Sequence, residues 1–186
     1  MSALSSYTHF VTVADYLRGE ERSGVKHEYL NGTVHAMAGG TLGHDAIGLN
    51  VTSALKTRLR GKRCRPHGSD AAIHLSHHGD ERIYYPDASV TCSPMNPAAH
   101  TIEAPVLVVE VLSDSTARTD RTEKKEAYLR CPSLQHFLLI EPDRVEVTLF
   151  TREAEDWKMT IFNELTDEVP LPGIETSLPL AEIYES

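Results

Sequence analysis

The chain has 186 residues, 40% apolar and 24% charged, the balance of a soluble globular protein and enough length for a full core in one domain spanning 1–186. No apolar run approaches the roughly 18 residues of a membrane-spanning helix, and MSALSSYTHF lacks the basic and apolar segments of a secretory signal, so a cytoplasmic protein is expected. A formal net charge of −9 counts against a strong nonspecific grip on DNA, whose affinity rests on neutralised phosphates.

The charge is uneven. Lys56, Arg58, Arg60, Lys62, Arg63 and Arg65 form one basic run, and Arg118, Arg121, Lys124, Lys125 and Arg130 form another, so nucleic acid stays open as a partner. Cys64, Cys92 and Cys131 are odd in number and widely spaced, with no CxxC pair. Three free thiols in a reducing compartment are expected, with neither a disulfide nor a zinc cluster.

Thr12 and Asp15 have capping-box spacing, which predicts a short helix from Val13 to about Arg18, stopped at Gly19. Asn31-Gly32 between His27–Leu30 and Thr33–Met37 predicts a hairpin with a two-residue loop. A long helix follows from about His44 to Leu59, its apolar face made of Ile47, Val51, Ala54, Leu55 and Leu59, and Gly61 ends it. Ser69 to Leu75 reads as a strand, His77 to Asp80 as a turn, and YYPDASV as the next strand. Pro105 opens a strand to Val111, and Asp120 with Glu123 has the spacing to cap a helix that stops at Pro132. His136–Ile140, Val145–Phe150 and Trp157–Phe162 read as a meander, and a short helix is expected near Leu180–Tyr184.

Two of these strands carry the candidate chemistry. In PVLVVEVLS both faces are apolar, so the strand is expected to be buried on both sides, and Glu110 is its only charge. An unpaired carboxylate there costs several kcal/mol on the order of any buried ion, so it needs a cation or a raised pKa. A structural ion pair with an arginine is the plainer alternative. Asp87 follows Pro86 and could be a turn residue, but with Glu110 one strand away the pair can hold a hard cation such as Mg²⁺. On the following helix Lys124, Ala127, Tyr128 and Cys131 fall at i, i+3, i+4 and i+7, which turns Lys124 toward the sheet and Lys125 roughly 100° away. Its plainer reading is a surface pair with Asp120.

Pro86-Asp87, Glu110 and a following lysine resemble the PD-(D/E)xK nuclease superfamily. The longer set EYLNG, YYPDASV, APVLVVEVLS and DRTEKKEAY is similar to its Uma2 (DUF820) branch, over about Thr12 to Arg152. The superfamily usually places its lysine two residues after the acid, where this chain has Leu112; the Uma2 branch places it on the next helix, matching Lys124. The resemblance implies a restriction-endonuclease-like α/β fold with a core at about 44–141. A mixed central sheet would be flanked by helices and extended by the N-terminal hairpin and the C-terminal meander. It implies Mg²⁺ or Mn²⁺ held by Asp87 and Glu110 with the Val111 carbonyl, and a water-orienting or charge-stabilising Lys124. Glu28 and His44 also match the family's pattern, although a solvated strand glutamate and a polar helix start explain them equally well. Asp70 could add a third carboxylate or be a strand-entry residue. The implied activity is an endonuclease cleaving phosphodiester bonds in DNA, with a homodimer as the default for a duplex substrate.

Two other functions compete: a nuclease-fold binding or regulatory protein without turnover, and a metal-dependent hydrolase of smaller phosphate or nucleotide substrates. The histidines at 67, 74, 77 and 78 fit no established ligand spacing. His44-Asp45 resembles the HD phosphohydrolase pair, but the strand content is wrong for that all-helical frame. GxSxG, Walker and GxGxxG motifs are missing.

Overall fold

The computed structural model describes residues 10–94 and 96–185, so nine of the ten N-terminal residues read above lie outside it. Thr12 caps α1 (Val13–Glu20), its Oγ1 accepting from the Asp15 N–H at 3.1 Å. The hairpin is β1 (His27–Leu30) and β2 (Thr33–Ala36); Asn31 and Gly32 both have positive φ, as a primed two-residue turn requires. Thr41 caps α2 (Leu42–Arg58), which buries Ile47, Val51, Ala54 and Leu55, with Leu59 following. The expected apolar face and length of this helix are both observed.

Four short strands come next: β3 (Arg65–Gly68), β4 (Ala72–His77), β5 (Asp80–Tyr84) and β6 (Ala88–Thr91). The β4–β5 turn has left-handed His78 and Gly79. After β7 (Thr101–Ile102), β8 (Pro105–Val111) enters the core. A helical segment then runs through α3 (Ala117–Thr119), a π turn (Asp120–Lys124) and α4 (Lys125–Leu129). The meander is β9 (His136–Ile140), β10 (Val147–Glu153) and β11 (Asp156–Phe162). A hairpin of β12 (Glu168–Leu171) and β13 (Thr176–Pro179) and the short α5 (Leu180–Ile183) follow.

The strands form two main sheets. Six lie in the order β11-β10-β9-β8-β6-β3, with β8 and β9 parallel and the other neighbours antiparallel. The other five lie in the order β2-β1-β5-β4-β7. The meander therefore extends the central sheet as expected, but the N-terminal hairpin pairs with β5 in the second sheet. The expected single strand YYPDASV is likewise divided. Pro86 has no N–H for a ladder bond, and the chain leaves the five-stranded sheet at Tyr84 and enters the six-stranded one at Ala88.

One face of the six-stranded sheet packs on α2, the β12–β13 hairpin and α5 through Val51, Leu55, Val109, Val111, Val169 and Leu178. The opposite face packs Val108, Leu112, Phe137 and Leu139 against Tyr128 of α4 and Ile73, Leu75 and Tyr84 of the second sheet. Strand β8 is thus covered on both sides, which its all-apolar sequence requires.

Two further expectations change. Asp120 and Glu123 do not cap the helix, whose N-cap is Thr116 with no side-chain hydrogen bond; in the turn before it, Ser113 accepts the Ala117 N–H through its backbone oxygen at 2.8 Å and the Thr116 N–H through its hydroxyl. Asp120 lies inside the segment and is 1% exposed. The register pairs Arg65 of β3 with Thr91 of β6, which places Cys64 beside Cys92 one step further, with Cα atoms 4.0 Å apart and a disulfide between them. The expectation of three free thiols is corrected; Cys131 alone is free among the described residues, and buried. The missed pairing has a simple cause: RPHG, with its proline, shows no strand alternation.

His136 illustrates how burial becomes pH dependence. It is buried at the start of β9, its Nε2 accepts the Gly173 N–H at 3.0 Å, and burial pushes its pKa down to about 4. The unfolded chain therefore binds more protons than the folded one between pH 6.5 and 4, and stability falls as pH falls through that window. The loss should reach about 3 kcal/mol at the acid end. Urea melts at pH 7 and 4.5 should show a flatter pH response for His136→Gln than for the parent protein; parallel responses would refute this.

Candidate active site

Asp87 sits where the chain crosses from one sheet to the other, and this crossing frees its side chain from either ladder. Its Oδ2 accepts the Val111 N–H at 2.6 Å and lies 3.5 Å from Nε2 of His44. The same His44 nitrogen is 2.9 Å from the Val111 carbonyl, so the imidazole donates there from the first turn of α2. Burial pushes the Asp87 carboxyl above its usual range, opposed by His44 and the Val111 N–H. A cleft of about 150 Å³ opens at this point, lined by His44, Asp45, Gly48, Thr52, Ser69 and Asp87 among others. Gly68 and Ser69 also line a wider cleft of about 940 Å³.

Glu110, one residue before the end of β8, is 3% exposed. Its Oε1 accepts from the Tyr128 hydroxyl at 3.1 Å and lies 3.6 Å from Nζ of Lys124. Lys124, 5% exposed, is also 2.8 Å from Glu28 of β1 and 3.2 Å from Asp120. One ammonium thus joins a strand of each sheet and the π turn. Burial pushes the Glu110 carboxyl well up; Lys124 opposes this, while Asp120, Asp87 and Glu28 add to it. Burial alone would lower Lys124, but Glu110, Glu28 and Asp120 together hold it above its ordinary value, so it keeps its proton. Burial and the neighbouring Glu110 keep the Tyr128 phenol protonated as a donor.

Four carboxylates (Glu28, Asp87, Glu110 and Asp120) therefore share one lysine and one histidine. That excess of buried negative charge is the setting in which a divalent cation is stabilising. The donor set fits a hard cation in a second respect. Asp87 is tied through Oδ2 and Glu110 through Oε1, each by a single hydrogen bond, and buried Oε1 of Glu28 and Oδ1 of Asp120 have no hydrogen-bond partner of their own beyond their ion pairs with Lys124. No group of three or more His, Cys, Asp or Glu that could by itself hold a metal ion occurs among the described residues.

The fold brings Asp87, Glu110, Lys124, Glu28, His44 and the Val111 backbone together. It does not bring in Asp70, whose side chain is 94% exposed on a turn and paired with Lys26 at 2.6 Å. Asp120 and Tyr128 also join the cluster: the expected Lys124–Asp120 pair forms, but buried, and Tyr128 shares the buried stripe of Lys124. Their signal was present in the four-residue spacing Asp120, Lys124, Tyr128, which puts two polar groups and a tyrosine on one buried stripe.

The basic run after α2 is largely engaged within the protein. Arg58 makes a bidentate pair with Glu182 at 2.6 Å, Lys62 donates to the Glu175 carbonyl and Arg63 to the Cys92 carbonyl. In the second run Arg121 pairs with Glu141, Arg130 with Glu126, and Lys125 lies over the Phe150 ring. No helix among the described residues is long and apolar enough to cross a membrane.

A solved structure described as a putative nuclease belonging to DUF820 from Anabaena variabilis superposes with a TM-score of 0.72 at 22% identity. The match covers 94% of this chain and 97% of that one, which establishes the shared fold. The uncharacterized protein slr1290 of Synechocystis sp. is 35% identical over 172 residues, 91% of this chain and 89% of that protein. A second uncharacterized Synechocystis protein, sll1609, is 28% identical over 157 residues, 82% of this chain and 88% of that protein. Residues 13–181 match the model of the Uma2 family, described as "Putative restriction endonuclease", and the chain is a member of that family.

Proposed function

We propose that this protein is a divalent-metal-dependent endonuclease that hydrolyses phosphodiester bonds in DNA. The observation that carries the reading is the cluster of three carboxylates around one protonated lysine, with Asp87 beside it at the sheet crossing and Asp87 and Glu110 each using one oxygen in a single hydrogen bond. Membership of a family described as nucleases supports the same class of reaction. Asp87, Glu110 and the Val111 carbonyl would hold Mg²⁺ or Mn²⁺; the carbonyl has a second lone pair beyond the one facing His44. The cation would supply Lewis acidity and a more acidic water.

The remaining work falls to the chain's own side chains. His44 holds the Val111 carbonyl through one nitrogen and lies 3.5 Å from Asp87, whose carboxylate is fixed by the Val111 N–H, so one residue's backbone and one imidazole set both candidate donors. Lys124 holds a positive charge where negative charge gathers on the phosphoryl oxygens as the water oxygen bonds to phosphorus and the ester bond breaks. Glu28 and Asp120 keep that ammonium charged and in place. Burial beside Tyr84 and Tyr128 keeps bulk water away from it.

The internal engagement of the basic run favours a second reading, a hydrolase of smaller phosphate esters that needs no long cationic track. Labelled single-stranded DNA, duplex DNA, RNA and mononucleotides, each with Mg²⁺ or EDTA, separate the two. Internal cleavage of DNA with Mg²⁺ is expected. Turnover of mononucleotides alone would transfer the assignment to the second reading, and a folded, metal-binding protein inert on all four would refute both.

A further inference from the structure

We infer that Tyr128 is a positioning residue, which holds Oε1 of Glu110 and so presents Oε2 to a divalent cation. The inference rests on the metal-dependent reading above and adds a residue to it. Glu110 is buried among apolar side chains of β8, and a carboxylate there can rotate about its last torsion unless one oxygen is fixed. The Tyr128 hydroxyl supplies that restraint at 3.1 Å, and it is the one directed hydrogen bond to Glu110 among the described residues. Lys124, at 3.6 Å from the same oxygen, attracts the carboxylate without setting its angle.

The phenol is itself held in place. Its ring is fully buried, 5.5 Å from the Tyr84 ring and 5.4 Å from Phe137, which continues to Phe150 at 5.9 Å. This aromatic row fixes where the hydroxyl points, and α4 fixes the ring against the sheet. Partners of this kind, one bond removed from a metal, typically contribute about 10- to 100-fold in affinity.

The test uses Mn²⁺ as the probe, titrated calorimetrically into the full chain at constant pH, with thermal melts of the metal-free protein alongside. Tyr128→Phe keeps the ring and removes one hydroxyl. Its Mn²⁺ Kd should weaken about tenfold or more, and its metal-free melting temperature should fall by a few degrees, because buried Glu110 loses its one directed hydrogen bond. Tyr84→Phe is the control, because its hydroxyl meets Arg82 at 3.1 Å and belongs to the same row without touching Glu110. Its Kd should not change. An unchanged Kd in Tyr128→Phe, or equal weakening in both variants, overturns the positioning role. If the parent protein binds no Mn²⁺, the metal-dependent reading itself falls and this inference with it.

Discussion

Lys124→Ala should lose most DNA cleavage, about a hundredfold or more, while Lys125→Ala cleaves at nearly the parent rate. The two neighbours differ in surroundings alone. Lys124 is buried with three carboxylates within 3.6 Å of Nζ, whereas Lys125 lies over the Phe150 ring away from them. Losing Lys125 removes a cation–π contact of about 0.5–1 kcal/mol. Losing Lys124 leaves Glu28, Asp120 and Glu110 facing one another without a cation, and breaking a buried pair in this way costs about 3–5 kcal/mol. The stability loss also has a pH signature. Without the lysine that opposes the effect of burial, the Glu110 carboxyl takes up its proton more readily in the folded chain than in the unfolded one, so the variant regains stability as pH falls. Melts should therefore show its deficit largest near pH 8 and smaller near pH 5.5. Equal cleavage by the two variants would move the lysine's role elsewhere.

A second large effect is expected from Asp87→Asn. The amide oxygen can still accept the Val111 N–H, so the crossing between the sheets stays tied. What disappears is the charge that would hold a cation. In the parent protein, Mn²⁺ at a hundred times its Kd should stabilise the folded state by about 2.7 kcal/mol, a rise of about 5–10 °C for a chain of this size. Asp87→Asn should abolish that rise. The metal-free variant should melt at or above the parent, because burial raises the Asp87 carboxyl above its usual range. Parent stability then declines as pH rises through that raised pKa, and the asparagine removes this part of the slope. A full Mn²⁺ response in the variant would contradict the assignment.

Much of the fold was legible where local chemistry and tertiary demand agree. Thr12, Asn31-Gly32 and the α2 stripe each specify one local conformation, and the fold adopts all three. The PVLVVEV strand announces its double burial through its lack of a polar face. What sequence could not convey is which sheet a strand joins. YYPDASV reads as one strand because nothing in its alternation marks the jump at Pro86, yet that jump creates the site. Strands β3 and β12 contain Pro66 and Pro170, and no strand is predicted at either segment.

The candidate site divides along the same line. The burial of Glu110 was readable from the all-apolar strand around it and that of Lys124 from its spacing with Tyr128, although Lys124 lies in a π turn and Asp87 lies between two strands rather than on one. Asp120 was misread because its capping spacing with Glu123 is a local pattern, and the π turn overrides it by burying the aspartate beside Lys124. Asp70 failed for the opposite reason. It has the right chemistry, but Ser69 and Asp70 form a turn before β4 begins, and Lys26 takes its carboxylate at the surface.

The most direct measurement is supercoiled-plasmid cleavage by the parent protein and by Glu110→Gln, each with Mg²⁺ and with EDTA, after melts confirm that both are folded. Glutamine retains an oxygen for the Tyr128 hydroxyl and removes the one charge on β8. The proposed function predicts cleavage by the parent protein with Mg²⁺, none with EDTA, and none by Glu110→Gln under either condition. Cleavage that persists in EDTA, or proceeds at the parent rate in Glu110→Gln, would contradict it.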